Sequence, residues 1–311
     1  MIQNKADIAV LIPCYNESLT IEKVINDYKK AFPTASIYVY DNNSNDGTDV
    51  IARKAGAIVK YEYQQGNGNV IRSMFKDIDA DCYIMADGDD TNPPERKMVD
   101  LILQGKAEMV IGDRLSSTYF KENKRLFHNS GNLIVRCLIN KMFNVHVKDI
   151  MTGSRAFSYS FVKTFPVLSK GFEIETEMTI HAVANNLNVL EVPVNYRDRP
   201  EGSESKLNTY SDGIKVLKTI ARLFKEYKPT AFFGIFALLF LIISIAFGTP
   251  VFYEYFRTGL VERFPTLIFS GFMLIVSLLL WITGLILEVI VKKNRQMFEL
   301  LWIRTKREKI N

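Results

Sequence analysis

Two aspartates one residue apart, Asp87-Gly88-Asp89, close the apolar run Tyr83–Ala86. Carboxylate oxygens in this spacing suit a hard divalent cation such as Mg²⁺ or Mn²⁺, which keeps few protein ligands and completes its shell with phosphate and water. Arginine suits the phosphate itself, through paired contacts from its planar fork. Arg114, after Gly112-Asp113, and Arg199 and Lys206, in RPEGSESKL, are the candidates to neutralise such charge. Three more polar loops follow apolar runs: Pro13-Cys14-Tyr15-Asn16-Glu17, the Asn- and Asp-rich stretch from Asp41 to Thr48, and Gln65-Gly66-Asn67-Gly68-Asn69 with Arg72 one turn later. Each has a bland reading when taken alone. An acidic loop is usually just solvated, and 41–48 passes for a turn and a helix cap. All five in order, each at the end of an apolar run, is the pattern of a shared site.

The runs that must position these loops are Ile8–Ile12, Ile37–Tyr40, Ala57–Val59, Tyr83–Ala86 and Met109–Ile111. Between them lie helix-compatible stretches, Leu19–Ala31, Thr48–Lys54, Asn69–Asp77 and Glu95–Leu103. Strands alternating with helices predict an α/β fold with a mostly parallel sheet covered on both faces. Such sheets bind ligands at the carboxyl ends of their strands, which is where the unusual residues fall.

Residues 7–210 resemble glycosyltransferase family 2, with its Rossmann-like GT-A fold. Together with the apolar C-terminal region, the chain is similar to polyprenyl-phosphate glycosyltransferases of the dolichyl-phosphate mannose synthase type. The resemblance implies transfer of one sugar, with inversion, from a nucleotide sugar to a polyprenyl phosphate (undecaprenyl or dolichyl), with Mg²⁺ or Mn²⁺ as cofactor. It implies roles residue by residue. Pro13, Tyr15, Asn16 and Glu17 match the motif that holds base and ribose, and Asp41 matches an acidic residue that joins them. Gly66, Asn67 and Arg72, with Asp87 and Gly88, complete the nucleotide-sugar set. Asp87 lies near ribose and sugar, and Asp89 binds the metal. Arg114 faces phosphate. Asp149, Met151, Thr152 and Gly153 resemble the segment that lines the acceptor side. Arg199, Ser205 and Lys206 resemble the basic loop that closes over the diphosphate and receives the lipid phosphate.

The chain departs from its relatives at two places. Asn67 stands where they often carry Lys, and Thr91 where mannose synthases carry Gln near the metal. A third protein ligand is therefore not carried over. UDP-glucose and UDP-N-acetylglucosamine lead as donors, with GDP-mannose behind. A lipid phosphate has a second pKa near ~6 and is largely ionised at neutral pH, so attack needs no general base.

The chain has 311 residues with 39 Lys and Arg, 34 Asp and Glu, and 48% apolar residues. That composition excludes disorder. Residues 1–228 carry 30 basic and 29 acidic residues, and such balance argues against a nucleic-acid binder. No charge occurs between Lys228 and Glu254 or between Arg263 and Glu288. Each gap spans roughly 36 Å as a helix, against about 30 Å of hydrocarbon. This predicts two transmembrane helices, about 230–250 and 266–290, within 229–291. A basic tail, 292–311, places both ends in the cytoplasm of a multi-pass protein of the cell membrane. The N-terminus shows no signal-peptide pattern, so residues 1–210 are expected to form a cytosolic catalytic domain. Residues 211–228 form the link. There Ile214, Leu217, Ile220, Ala221, Phe224 and Tyr227 recur at helical spacing beside a stripe of Lys215, Lys218, Arg222 and Lys225. The pattern fits an interfacial amphipathic helix on the bilayer, or a helix packed on the domain. Gly271 and Gly284 are small enough for packing between protomers of a homo-oligomer.

Cys14, Cys82 and Cys137 are far apart and read as buried free thiols. His128, His146 and His181 lack ligand spacing, and His181 reads as packed or surface. In GFEIETEMTIHAVANN, Glu173 and Glu177 fall one helical turn apart, as helix-dipole partners or as a carboxylate near the sugar; Glu175 lies off that face. Residues 113–130 read as an acceptor loop or an ordinary connector. Three rivals remain. A processive polysaccharide synthase would show Q-x-x-R-W and more spans. A transferase acting on another membrane acceptor keeps the same motifs. An inactive scaffold or flippase subunit would be expected to have lost Asp87, Asp89 or Arg114, all present here. The acceptor assignment predicts that Lys206→Ala slows transfer more than it weakens nucleotide binding; unchanged transfer kinetics would remove Lys206 from the acceptor side.

Overall fold

A computed structural model describes residues 6–116, 128–143, 145–200, 202 and 209–308. The chain divides into two units, residues 1–220 with 301–311, and residues 221–300. In the first, seven strands among the described residues form one sheet: β1 (Ile8–Cys14), β2 (Ser36–Asp41), β3 (Ile58–Tyr61), β4 (Cys82–Met85), β5 (Met109–Asp113), β6 (Arg155–Ser158) and β7 (Val189–Pro193). Their order is β3-β2-β1-β4-β6-β5-β7. All neighbours pair in parallel except β6, which runs antiparallel to both β4 and β5. The five strands expected from the sequence are present within one or two residues; β6 and β7 are additions.

The helices are α1 (Ile21–Ala31), α2 (Thr48–Lys54), α3 (Asn67–Asp77), α4 (Arg96–Leu103), α5 (His128–Phe143), α6 (Tyr159–Thr164), α7 (Ile174–Ala184) and α8 (Thr209–Tyr227). Central strands are apolar without alternation because both faces are covered: Val10, Leu11 and Ile12 of β1 are all fully buried. On one face the core joins Val10 and Ile12 to Ile21, Val24, Ile25 and Tyr28 of α1 and to Met98, Val99 and Ile102 of α4, each helix set at helical spacing. On the other, Phe75 of α3 meets Phe157 of β6 edge-on, with ring centroids 5.6 Å apart, and Phe157 stacks on Phe161 of α6 at 5.0 Å. Cys14 and Cys82 are buried free thiols as expected, whereas Cys137 is exposed on α5. His181 is buried against Phe165, at 5.1 Å between ring centroids, and burial lowers its pKa to about 4.

In α8 the burial differs from the expected stripe. Val216, Thr219, Ile220 and Leu223 are buried, while Ile214 and Leu217 are exposed, at 67% and 45%. The helix thus carries two apolar faces, and the spacing rule merged them because Ile220 belongs to one and Leu217 to the other.

The second unit holds most of two long helices, α9 (Pro229–Thr258) and α10 (Phe264–Glu308). Both are long and apolar enough to cross a membrane. Three hydrogen bonds set an antiparallel register: Thr230 Oγ1 donates to Gly284 O (3.2 Å), Ser277 Oγ to Ala237 O (2.7 Å) and Ser244 Oγ to Ser270 O (2.8 Å). On each helix these positions recur every seven residues, the spacing of a coiled-coil seam. Small residues let the backbones approach. Gly284 serves this seam, since a Cβ there would lie 3.3 Å from Phe233 Cβ; Gly271 faces open space. α10 runs unbroken to Glu308, and Lys306 Nζ pairs with Glu108 Oε1 at 2.8 Å.

The start of α3 packs on the 169–170 backbone. Gly68 N donates to Lys170 O at 3.0 Å, and a Cβ on Gly68 would lie 2.2 Å from Ser169 O. Gly68→Ala should therefore lower stability by about 2–4 kcal/mol, read as a fall in Tm in detergent; an unchanged Tm would mean this junction yields freely.

Candidate active site

β1, β2, β4 and β5 end on one edge of the sheet, and their loops meet there. After β1, Asn16 adopts φ 54°, its amide donates to Ser44 Oγ (2.9 Å), and its Oδ1 accepts from Asn45 N (2.9 Å). Glu17 N donates to Thr48 Oγ1 at 2.9 Å. The first loop is thereby laced to the second, with Pro13 half-buried, Tyr15 exposed at 39% and Glu17 buried. Asp41 ends β2, 3% exposed; its Oδ1 accepts from Ser44 N (2.9 Å), while its buried Oδ2 has no partner among the described residues. A buried acceptor left open at a strand end calls for a partner such as a water, an ion or a ligand. Gly66 N donates to Asn42 Oδ1 at 2.8 Å, which brings Gly66 and Asn67 beside the same loop. Arg72 does not join them. Its guanidinium donates to Val167 O from Nη2 (2.6 Å) and Nε (3.1 Å), so it ties α3 to the 165–170 segment.

The turn after β4 carries the paired aspartates. Asp87 Oδ2 accepts from Asn92 Nδ2 at 2.8 Å. Asp89 Oδ1 accepts the Thr91 hydroxyl (2.7 Å) and amide (3.2 Å), and Asp89 Oδ2 is paired with Arg199. Burial, and then the charge of Asp89, push the Asp87 carboxyl up to about 6, against the opposing pull of Arg114 and Arg199. Asp90, in a left-handed backbone at φ 61°, turns away from the pair and meets Lys23 and Arg197.

The acceptor-side segment reaches the same edge. A Cβ on Gly153 would lie 2.2 Å from Asp87 Oδ1, so only glycine lets the chain pass against that carboxylate. Asp149, fully buried, grips Arg114: Nε to Oδ2 at 2.8 Å and Nη2 to Oδ1 at 3.1 Å, with a further bond from Nη2 to Met151 O at 3.0 Å. Arg114 is thereby held beside Asp87, and Asp149 acts on the site through it. Thr152 is fully buried. Ser205 and Lys206, and residues 117–127 of the 113–130 stretch, lie outside the described residues.

Arg155 went unnoticed in the sequence, and Glu175 was set aside as lying off the helical face. Arg155, fully buried, donates to Ile150 O (2.6 Å), Thr152 O (3.0 Å) and Thr179 Oγ1 (2.9 Å), and burial lowers its pKa to about 10. Glu175 is 8% exposed. Burial, and next the charge of Asp87, raise its pKa to about 8, against Arg155 and Arg114. Glu173 and Glu177, the pair singled out by spacing, serve the loop before α7: Glu173 Oε1 accepts from Gly171 N (3.2 Å) and Glu177 Oε2 from Ser169 N (2.8 Å). The helical rule failed here because almost every side chain of α7 is buried, so no face stands out. An arginine directly before the apolar Ala156-Phe157 was the available signal for Arg155.

The edge thus gathers Asp41, Asp87, Asp89, Arg114, Gly153, Glu175 and Arg199. Among the described residues no group of three or more His, Cys, Asp or Glu is set to hold a metal ion. Asp87 and Asp89 supply hard oxygens only, and a cationic side chain already sits on Asp89. That donor set fits a hard divalent cation that takes its remaining ligands from phosphate and water. A family model described as Glycosyl transferase family 2 matches residues 9–165. The chain belongs to glycosyltransferase family 2. This glycosyltransferase is 30% identical over 297 residues to glycosyltransferase AglJ of Haloferax volcanii, covering 94% of this chain and 96% of that one. It is 30% identical over 222 residues to a dolichyl-phosphate hexose transferase of the same organism, covering 71% and 95%. Among solved structures it resembles glucosyl-3-phosphoglycerate synthase from Mycobacterium tuberculosis, in complex with Mn²⁺, UDP and phosphoglyceric acid, with TM-score 0.58 and 18% identity, over 70% of this chain and 78% of that one. That likeness shows a shared GT-A-like fold. The enzyme is thus a glycosyltransferase related to polyprenyl-phosphate sugar transferases.

The raised Glu175 carboxyl has a stability signature. Its proton is bound more tightly in the folded state, about 8 against 4.5, so the stability it contributes is full below 4.5 and is lost as pH rises through 8. Glu175→Gln mimics the neutral acid. It should gain on the wild type by on the order of 1 kcal/mol per pH unit across that window, seen as a widening Tm difference; a constant difference would mean Glu175 titrates as in the unfolded chain.

Proposed function

We propose that this glycosyltransferase transfers a single sugar from a nucleotide sugar to a polyprenyl phosphate at the cytoplasmic leaflet, with inversion and with a divalent cation at Asp89. The observation that carries the reading is the Asp87 and Asp89 pair at the carboxyl edge of the sheet, with Arg114 and Arg199 acting on it, in a chain that also holds two helices able to span a membrane. Asp41, with its open Oδ2, and the laced 13–17 loop would hold base and ribose. Asp89 would hold the cation, with Asp87 next to it against the sugar. The bound Mg²⁺ or Mn²⁺ would neutralise charge gathering on the diphosphate as the sugar departs. Arg114, locked by Asp149, keeps a fixed positive charge beside Asp87 and needs no rearrangement during reaction. The acceptor phosphate is already ionised and attacks without a base, so positioning carries much of the rate. UDP-glucose or UDP-N-acetylglucosamine is favoured as donor, with GDP-mannose behind. The basic residues after Val291 favour cytoplasmic termini, with residues 1–210 as the catalytic domain, 211–228 as the juxtamembrane helix and 229–291 as the hairpin. Ser205 and Lys206 would face the acceptor phosphate.

The test is to incubate the full chain in detergent with polyprenyl phosphate, Mn²⁺ or Mg²⁺ and a panel of labelled nucleotide sugars. Label should enter the organic phase from one donor and vanish with chelator or in Asp89→Ala, which should lose at least about 100-fold in rate. Donor binding without lipid product would point to another acceptor. Chelator-resistant transfer would sink the cation assignment.

A further inference from the structure

The segment after β7 crosses the turn that bears the paired aspartates, and its two arginines are used differently. Arg197 anchors it. Its amide donates to Thr91 O (3.0 Å), and its Nη1 meets Asp27 Oδ2 on α1 (2.9 Å) and Asp90 Oδ1 (3.1 Å). Asp27 and Asp90 are in turn bridged by Lys23, whose Nζ lies 3.6 Å from Asp27 Oδ2. Two residues on, Arg199 extends its Nη2 to Asp89 Oδ2. The two side chains of that pair are only 23% and 10% exposed.

Asp89 offers few free positions. Thr91 fills Oδ1 with both its hydroxyl and its amide, so Oδ2 is the oxygen left for a cation, and the guanidinium stands on it. A divalent ion and a guanidinium on one carboxylate oxygen repel each other, so the two compete for Oδ2. We propose that Arg199 is a built-in counter-cation: it pairs with Asp89 Oδ2, gives way to a divalent cation that binds there, and turns to the diphosphate that arrives with the metal. This rests on reading Asp89 as the cation ligand. The anchor at Arg197 makes the exchange local. The backbone stays pinned to Thr91 and Asp90 while one long side chain changes partner, from one anion to another on the same face.

The device has a physical use. Two adjacent partly buried carboxylates repel each other and would otherwise attract stray cations. A tethered guanidinium neutralises them without filling the donor pocket, and its release supplies positive charge when phosphate needs it. Metal entry and diphosphate capture are thus coupled through one residue, and the coupling is reciprocal.

The test measures Mn²⁺ affinity of the full chain in detergent by electron paramagnetic resonance of the free ion, with and without UDP (or GDP where UDP does not bind). Without nucleotide, Arg199→Ala should bind Mn²⁺ about tenfold more tightly than the wild type, because a competing ion pair of about 1.4 kcal/mol is gone. With nucleotide the sign should reverse, since the guanidinium no longer holds the diphosphate. Arg199→Lys, a second variant that keeps the charge but loses the fork, should shift less in both arms. Mn²⁺ affinity in Arg199→Ala within twofold of the wild type without nucleotide, or tightened equally in both arms, would overturn the exchange and leave the function reading standing. Unchanged Mn²⁺ binding in Asp89→Asn would overturn both.

Discussion

One antiparallel strand decides the architecture of this site. β6 lies between β4 and β5 and runs against them, so its first residue, Arg155, pairs with Met85 and Ile111 near their carboxyl ends. A parallel strand in that slot would bring its own end to the edge. The reversed strand brings its beginning, and with it the 149–154 approach, over the paired aspartates. Arg155 then pins that approach from below, through the carbonyls of Ile150 and Thr152 and the Thr179 hydroxyl on α7. A fully buried guanidinium is costly unless its donors are met, and here they are met mostly by carbonyls rather than by a carboxylate. Its charge stays available to the field of the site, where it opposes the raised Glu175 and so connects the floor of the cleft to its rim.

The ion pairs around that strand differ in burial and geometry. Asp149 and Arg114 form a buried, bidentate pair of the kind that holds geometry. Arg197, Asp27, Asp90 and Lys23 form a more exposed network that ties three elements together. Arg199 reaches Asp89 from the segment after β7, and the side chains of that pair are 23% and 10% exposed.

The apolar region follows a different physics. In lipid there is no hydrophobic gain between helices, so contact relies on close approach and hydrogen bonds. Thr230, Ala237 and Ser244 facing Gly284, Ser277 and Ser270 provide both, at seven-residue intervals that keep the seam in register along the helices.

Residue order alone determined the parallel framework, the polar loops at its strand ends and the two membrane-length helices. Those features rest on local periodicity and on charge-free length, which are visible in any window of sequence. Tertiary structure decided the rest. Arg72 has the chemistry of a phosphate contact but spends it on the Val167 carbonyl. Glu173 and Glu177 have helical spacing but cap a loop, whereas Glu175 on the neighbouring face is the buried carboxyl beside Asp87. The stripe in α8 divides between a buried and an exposed side. Whether Arg114 meets phosphate directly or is first fixed by Asp149 is a contact across 35 residues of sequence. Side-chain partners depend on which strands lie next to each other and in which direction they run, and periodicity carries no information about either.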